Sequence, residues 1–170
     1  MKKKRGKKLL SLLLSGAMLF SMGMPMTASA AAGDKTTLDM EKKTYTDASI
    51  ASSPLQYRLF VPDNYSPNQE YPLFIYLNGA GARGSDNEKQ LANLAPLLNP
   101  LMTAEGKSKY PCIIAIPQCR ENKQWADTPS GSGSYNQDNV PESEHLRLVM
   151  GMIEDLKQTY SCLLYTSRCV

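Results

Sequence analysis

The 170-residue sequence predicts an α/β fold: the first strands of a mostly parallel sheet with two flanking helices. Three observations carry that expectation. Two short, nearly continuous apolar runs, residues 72–77 and 112–116, have the character of strands covered on both faces. Two later stretches place Leu, Val and Ile at spacings of three and four, the pattern of helices with one core-facing stripe. Strand and helix patterns alternate along the chain, which is the order of a sheet with helices packed on its faces.

Residues 1–30 stand apart from that domain. Lys2, Lys3, Lys4, Arg5, Lys7 and Lys8 open them, an apolar run follows from Leu9 to Phe20, and Ala28, Ser29 and Ala30 close them. This is the order of a secretory signal peptide, with cleavage expected after Ala30 and export as the destination. The apolar run is shorter than the ~20 residues that span a bilayer, which argues against an anchor. The formal charge of +3 belongs to the leader. Without it the body is mildly acidic, which excludes the basic footprint of a nucleic-acid binder.

Residues 31–36 are small and polar, a mobile lead-in by composition. Thr44 to Thr46 open a first strand. Leu55, Tyr57, Leu59 and Val61 alternate along a half-buried strand, ended by the Pro62–Pro67 turn residues. After the apolar run at 72–77, a first helix is expected from the N-cap candidate Asp86 to Leu98. Its stripe is Leu91, Leu94 and Leu98, and Asn99-Pro100 stops it. The strand at 112–116 closes on Pro117. A second helix has Pro141 in its first turn, Glu142 and Glu144 at its positive end, and a stripe of Leu146, Val149, Ile153, Leu156 and Tyr160. Between them runs a connection from Gln118 to Val140, longer than most and placed where α/β proteins hold ligands. Cys112 and Cys119 would sit about 20 Å apart on an extended strand, beyond the reach of a disulfide. None of the four cysteines has zinc-site spacing, and no metal or cofactor is expected.

The stretch of residues 77–87 holds Gly79, Gly81 and Gly84 between a strand and a helix. Glycines there permit backbone shapes that side chains forbid and leave amide N–H groups bare. A phosphate cradle is one use, but the P-loop's Gly-Lys-Ser/Thr ending is absent. Gly79 to Gly84 matches G-x-G-x-x-G by letter, without the acidic residue that closes a following strand in dinucleotide sites. An oxyanion hole is another use, in which an amide N–H holds the charge that develops during ester cleavage. A plain tight turn is the third.

Over about residues 40–160 the chain resembles secreted α/β-hydrolase esterases of the feruloyl esterase, polyhydroxybutyrate depolymerase and prolyl oligopeptidase-like kind. The resemblance lies in residues 57–62, 72–77, 78–87, 115–119, Gln124-Trp125 and the helix from Glu142 to Tyr160. In that family the loop usually reads His-Gly-Ala-Gly-x-Arg-Gly-x-Asp-Asn, and only Asn78 departs from it. The resemblance implies an incomplete α/β-hydrolase fold in which Gly79 and Ala80, Ala80 foremost, supply an oxyanion N–H. Asn78 would brace the loop less well than His, with Gly81, Arg83 and Asp86 as loop support. Trp125, the one tryptophan, would line the substrate site or pack as a structural residue. The implied substrate is a small-molecule or polysaccharide-linked ester, with no nucleic acid and no membrane after signal cleavage.

An esterase of this class also needs G-x-S-x-G followed by Asp or Glu and then His. No serine here has glycine two residues away on both sides. The single histidine, His145, sits on the second helix ahead of where a nucleophile belongs, and by its position faces solvent. The family's serine elbow would begin where residues 162–170 lose the resemblance. Residues 31–161 are therefore read as the amino-terminal part of the domain, and residues 162–170 as a non-native tail. An absent fifth strand would leave the strand at 72–77 as an open edge. The chain by itself is expected to be inactive. The alternative is a secreted, non-catalytic module that binds carbohydrate or another ligand through the Trp125 loop.

Overall fold

The computed structural model describes residues 33–128, 136, 138 and 140–163. The leader, the Gly/Ser run at 129–134, Cys169 and the tail from 164 onward lie outside the described residues.

Five strands form one mixed sheet: β1 (Glu41–Tyr45), β2 (Leu55–Phe60), β3 (Tyr71–Ile75), β4 (Ile113–Pro117) and β5 (Cys162–Leu163), in the order β1-β2-β4-β3-β5. β2 runs antiparallel to both β1 and β4, while β3 runs parallel to β4 and to β5. Every residue of β4 is buried, as its continuous apolar run predicts. The strand period of two sorts its side chains between the two faces. Ile113 and Ala115 join Leu55, Tyr57, Leu59 and Tyr71 under helix α3 (Glu144–Thr159). Ile114 and Ile116 join Phe60 and Met40 under helix α1 (Ala95–Met102). A short helix α2 (Ala104–Lys109) follows α1. The result is three layers: helix, sheet, helix.

Several expectations are corrected. β2 is not half-buried: Leu55, Tyr57 and Leu59 meet the α3 layer, but Arg58 and Phe60 on its other face are buried too. The run at 72–77 is not covered on both faces, since Phe74 in β3 and Leu77 beyond its end are each 37% exposed. Its edge is not wholly open either. Cys162 and Leu163, in the segment read as non-native, pair with Tyr71 and Pro72, and Ser161 O accepts from Tyr71 N at 2.8 Å.

The first predicted helix is broken. Asp86 leads into a 3₁₀ turn, Lys89–Leu91, after which Asn93 takes a positive φ of 62° and interrupts the backbone. α1 then starts at Ala95 and runs through Pro100 instead of stopping there. The missing N–H of Pro100 costs the helix its bond to Pro96 O, and the fully buried Leu98 and Met102 hold the last turn by packing. Leu91, Leu94 and Leu98 are buried as predicted, so the stripe survives the break in the helix.

α3 begins later than predicted. Ser143 is its N-cap, accepting from Leu146 N, and Pro141 and Glu142 lie outside the helix. Its buried face is His145, Leu148, Val149, Met152 and Leu156, rotated from the predicted stripe, with Leu146 and Ile153 only partly buried. His145 is 2% exposed and does not face solvent.

Residues 33–36 of the lead-in are tied to the domain. Lys35 N donates to Met102 O at 3.1 Å, and Asp34 Oδ1 accepts from Ala104 N at 2.8 Å. Buried Lys107 donates to Gly33 O at 2.9 Å and to Asp63 at 3.0 Å, and Lys35 also pairs with Asp63. A strap of charge-assisted bonds holds a segment that composition alone reads as loose.

Candidate active site

The glycine loop leaves the carboxyl end of β3, the position at which open α/β sheets hold ligands. Gly79 is extended (φ −71°, ψ 171°) and Ala80–Ala82 form one 3₁₀ turn. Ala82 N donates to Gly79 O at 3.0 Å, Arg83 N to Ala80 O at 3.4 Å, and Gly84 N to Cys119 O at 2.9 Å. Gly79, Ala80 and Gly81 are exposed, and among the described residues their own N–H groups meet no acceptor. A cavity of about 360 Å³ lies beside them, bordered by Tyr76, Asn78, Gly79, Gly81, Ala82 and Gln90 among others.

The glycines act differently from the sequence expectation. None of the three has a positive φ; the left-handed residues nearby are Asn87 and Asn93. Side chains at Gly79 and Gly81 would meet nothing within 4 Å, so these glycines keep the space over the loop clear. Gly84 differs, because a Cβ there would stand 3.0 Å from Gln118 Nε2.

Asn78 is 3% exposed and ties the loop to its surroundings. Its Oδ1 accepts from buried Cys119 N at 2.9 Å, and its Nδ2 donates to Gly79 O at 2.9 Å. Its own carbonyl accepts the indole N–H of Trp125 at 2.8 Å. A peptide group is planar, so fixing a carbonyl also fixes the N–H of the next residue. Trp125 thus orients the unit carrying the Gly79 N–H. Asn78 and Ala82 orient the unit carrying the Ala80 N–H, and Arg83 N orients the unit carrying the Gly81 N–H. Three successive units have their carbonyls held and their N–H groups free.

Asp86 supports the loop from its far end. Its Oδ1 accepts from Glu88 N (2.9 Å), Lys89 N (3.0 Å) and Gln118 Nε2 (2.8 Å). The Lys89 amide and then Gln118 hold its carboxyl down at about 2, below the ordinary 3.8. Arg83 does not pair with Asp86. Its guanidinium acts on the Cys119 thiol, which burial pushes up and Arg83 partly holds down. Trp125 is half-buried, its ring edge-on to His145 at 6.2 Å between centroids. Its indole N–H is spent on the Asn78 carbonyl of the loop.

Sequence reasoning missed a buried polar network behind the loop. Arg58 Nε donates to Asn87 O at 2.7 Å and its Nη1 to Met40 O at 2.8 Å. Asn87 N donates to Gln118 Oε1 at 2.7 Å, Asn87 Nδ2 to Tyr57 O at 3.1 Å, and Gln90 Nε2 to Asn87 Oδ1 at 2.5 Å. The available signal was Gln118, a polar residue immediately after the apolar strand 112–116 and Pro117. Among the described residues no group of three or more His, Cys, Asp or Glu side chains is placed to hold a metal ion.

A mixed sheet in this order, with helices on both faces and a loop at the carboxyl end of β3, is an incomplete α/β-hydrolase fold. Among solved structures the chain is similar to the crystal structure of a thermostable esterase. The identity is 28% and the TM-score 0.63, over 75% of this chain and 32% of that one. It is also similar to an uncharacterised protein from Capnocytophaga ochracea (14% identity, TM-score 0.49, 72% of this chain and 30% of that one). A ferulic acid esterase from Anaeromyces mucronatus, in complex with ferulic acid, matches at 22% identity and TM-score 0.43, over 73% of this chain and 44% of that one. The chain spans about a third of the length of the first two. A scan against family models and a search of curated proteins gave no match.

Proposed function

We propose that this chain carries the oxyanion side of a serine carboxylic-ester hydrolase that is exported by its first 30 residues. The observation that carries the proposal is the row of acceptor-free N–H groups at the exposed residues Gly79, Ala80 and Gly81, beside a cavity that Gly79 and Gly81 border. The fold shared with a thermostable esterase supports it. In the reaction, a serine hydroxyl attacks the ester carbonyl while a histidine takes its proton. The carbonyl oxygen becomes an oxyanion, held by the Ala80 N–H with its neighbours. Collapse expels the alcohol and leaves an acyl-enzyme, which water then hydrolyses. The serine, the base and its acidic partner come from outside this sequence, so the chain alone turns nothing over. Substrates are small-molecule or polysaccharide-linked esters, and no cofactor takes part.

A chimera tests this. Residues 33–163 replace the matching third of the thermostable esterase, and hydrolysis of p-nitrophenyl acetate is measured. The chimera is expected to turn over, and Ala80→Pro, which removes the N–H, to lower kcat about 10²–10³-fold. Full activity with proline at position 80 would overturn the proposal. Turnover by the unfused chain above its own Ala80→Pro control would show that a nucleophile lies within it.

A further inference from the structure

The long connection ahead of α3 carries Trp125, whose indole N–H reaches the root of the glycine loop. The Trp125 indole donates to Asn78 O at 2.8 Å, the carbonyl that shares a peptide plane with the Gly79 N–H. Trp125 is itself clamped. Ser143 Oγ donates to Trp125 O at 2.8 Å while accepting from Leu146 N at 3.0 Å, so the hydroxyl that caps α3 also holds the tryptophan's backbone. The next residue, Ala126, is fixed by an antiparallel bridge to Glu142. On the loop side, Asn78 Oδ1 accepts from Cys119 N, just beyond β4. A continuous path therefore runs from the α3 N-terminus through Ser143, Trp125 and Asn78 to the first peptide of the glycine loop.

We propose that Trp125, anchored by Ser143, is a positioning residue that sets the glycine loop's entry peptide and so the aim of its free N–H groups. The link from that aim to catalysis rests on the reading that those N–H groups are the oxyanion donors. Phenylalanine at position 125 would keep much of the ring's packing and lose the donor. The Asn78–Gly79 plane would then be held only through its neighbours. An exposed hydrophobic contact could not have this effect, because it carries no direction. A hydrogen bond does, since it weakens steeply when bent.

The test is amide hydrogen exchange by NMR on the full chain, comparing Trp125→Phe, Ser143→Ala and Ser143→Thr. Ala82 N–H, which bonds Gly79 O, and Cys119 N–H, which bonds Asn78 Oδ1, report the loop. Ile114 and Ala115, at the centre of β4, report the sheet. Trp125→Phe and Ser143→Ala are expected to speed exchange at Ala82 and Cys119 at least tenfold while Ile114 and Ala115 stay within twofold. Ser143→Thr, which keeps the hydroxyl, is expected to restore the loop. Equal acceleration at all four amides, or none at the first two, would overturn the proposal. Should Trp125→Phe not fold, the Ser143 pair decides, read also at the single indole N–H of Trp125. No ester enters this measurement. A chimera that fails to turn over while the exchange pattern holds would remove the esterase reading and leave the positioning role standing.

Discussion

Replacing Asn78 with alanine removes two hydrogen bonds from the root of the loop, and their surroundings set the magnitude. Cys119 N is buried and bonds Asn78 Oδ1 at 2.9 Å; without that acceptor, it carries the penalty of an unpaired buried donor, about 1–3 kcal/mol. The Nδ2 bond to Gly79 O is part-buried, and Gly79 O keeps its bond from Ala82 N, so its loss adds about 0.5–1 kcal/mol. Partial relaxation brings the expected cost to about 2 kcal/mol. That is a large share of the roughly 5–15 kcal/mol by which domains are stable. Urea unfolding followed by Trp125 fluorescence measures it. Asn78→Asp separates the two bonds. The carboxylate still accepts from Cys119 N but cannot donate to Gly79 O, and its burial opposes the charge. Its folded pKa is therefore raised above the unfolded value of about 4, so its stability is complete below that pH and is lost as pH rises through the folded pKa. Asn78→Ala within 0.5 kcal/mol of the parent chain, or an Asn78→Asp deficit equal at pH 4 and pH 8, would refute the reasoning.

Asp86 offers the opposite sign. Its carboxyl is held at about 2, below the ordinary 3.8, so its contribution is present above about pH 4 and is lost as pH falls towards 2. The side chain is 39% exposed, and solvent screening reduces the contribution to about 1 kcal/mol. Asp86→Ala should cost that much in urea midpoint at pH 7 and nothing near pH 2, while Asp86→Asn keeps the cap and loses the pH dependence. His145 is held neutral: burial lowers its pKa, helped by Arg120 and Lys123 and opposed by Glu144 and Asp127. The unfolded chain therefore takes up the proton first, and stability should fall as pH drops below about 6.5, flattening in His145→Leu. Gly106→Ala in α2 should destabilise by at least about 2 kcal/mol by thermal melting, despite the helix propensity of alanine. Its Cβ would lie 1.9 Å from Pro100 O, a backbone atom with little room to yield.

The loop was legible as a candidate site because its signal is local. Three glycines and an Asp after an apolar strand are adjacent in sequence, and Asp86 accepts from the Glu88 and Lys89 amides, although Glu88 and not Asp86 is the N-cap of the turn that follows. The partners that hold it were not legible. Trp125 meets Asn78 across 47 residues, Gln118 meets Asp86 across 32, and Arg58 meets Asn87 across 29. No periodicity records such pairings, since each side chain is polar for a partner that only the sheet brings near. The helix expected from Asp86 to Leu98 failed for a related reason. Its leucine stripe describes burial, and burial is met equally by a 3₁₀ turn, an Asn in a left-handed conformation and a shorter helix.

Apolar content and its period were enough to establish the α/β class, the buried β4 and the core-facing helix after the long connection, because burying such runs is the largest favourable term and depends on composition along the strand or helix alone. Tertiary structure decided the rest: which way α3 turns, so that His145 is inward; how residues 33–36 are strapped; and which carbonyls are held so that three N–H groups stay free. Those outcomes depend on hydrogen bonds between distant residues. Such bonds are directional and short, and they exist only once the sheet has set the distance between their partners.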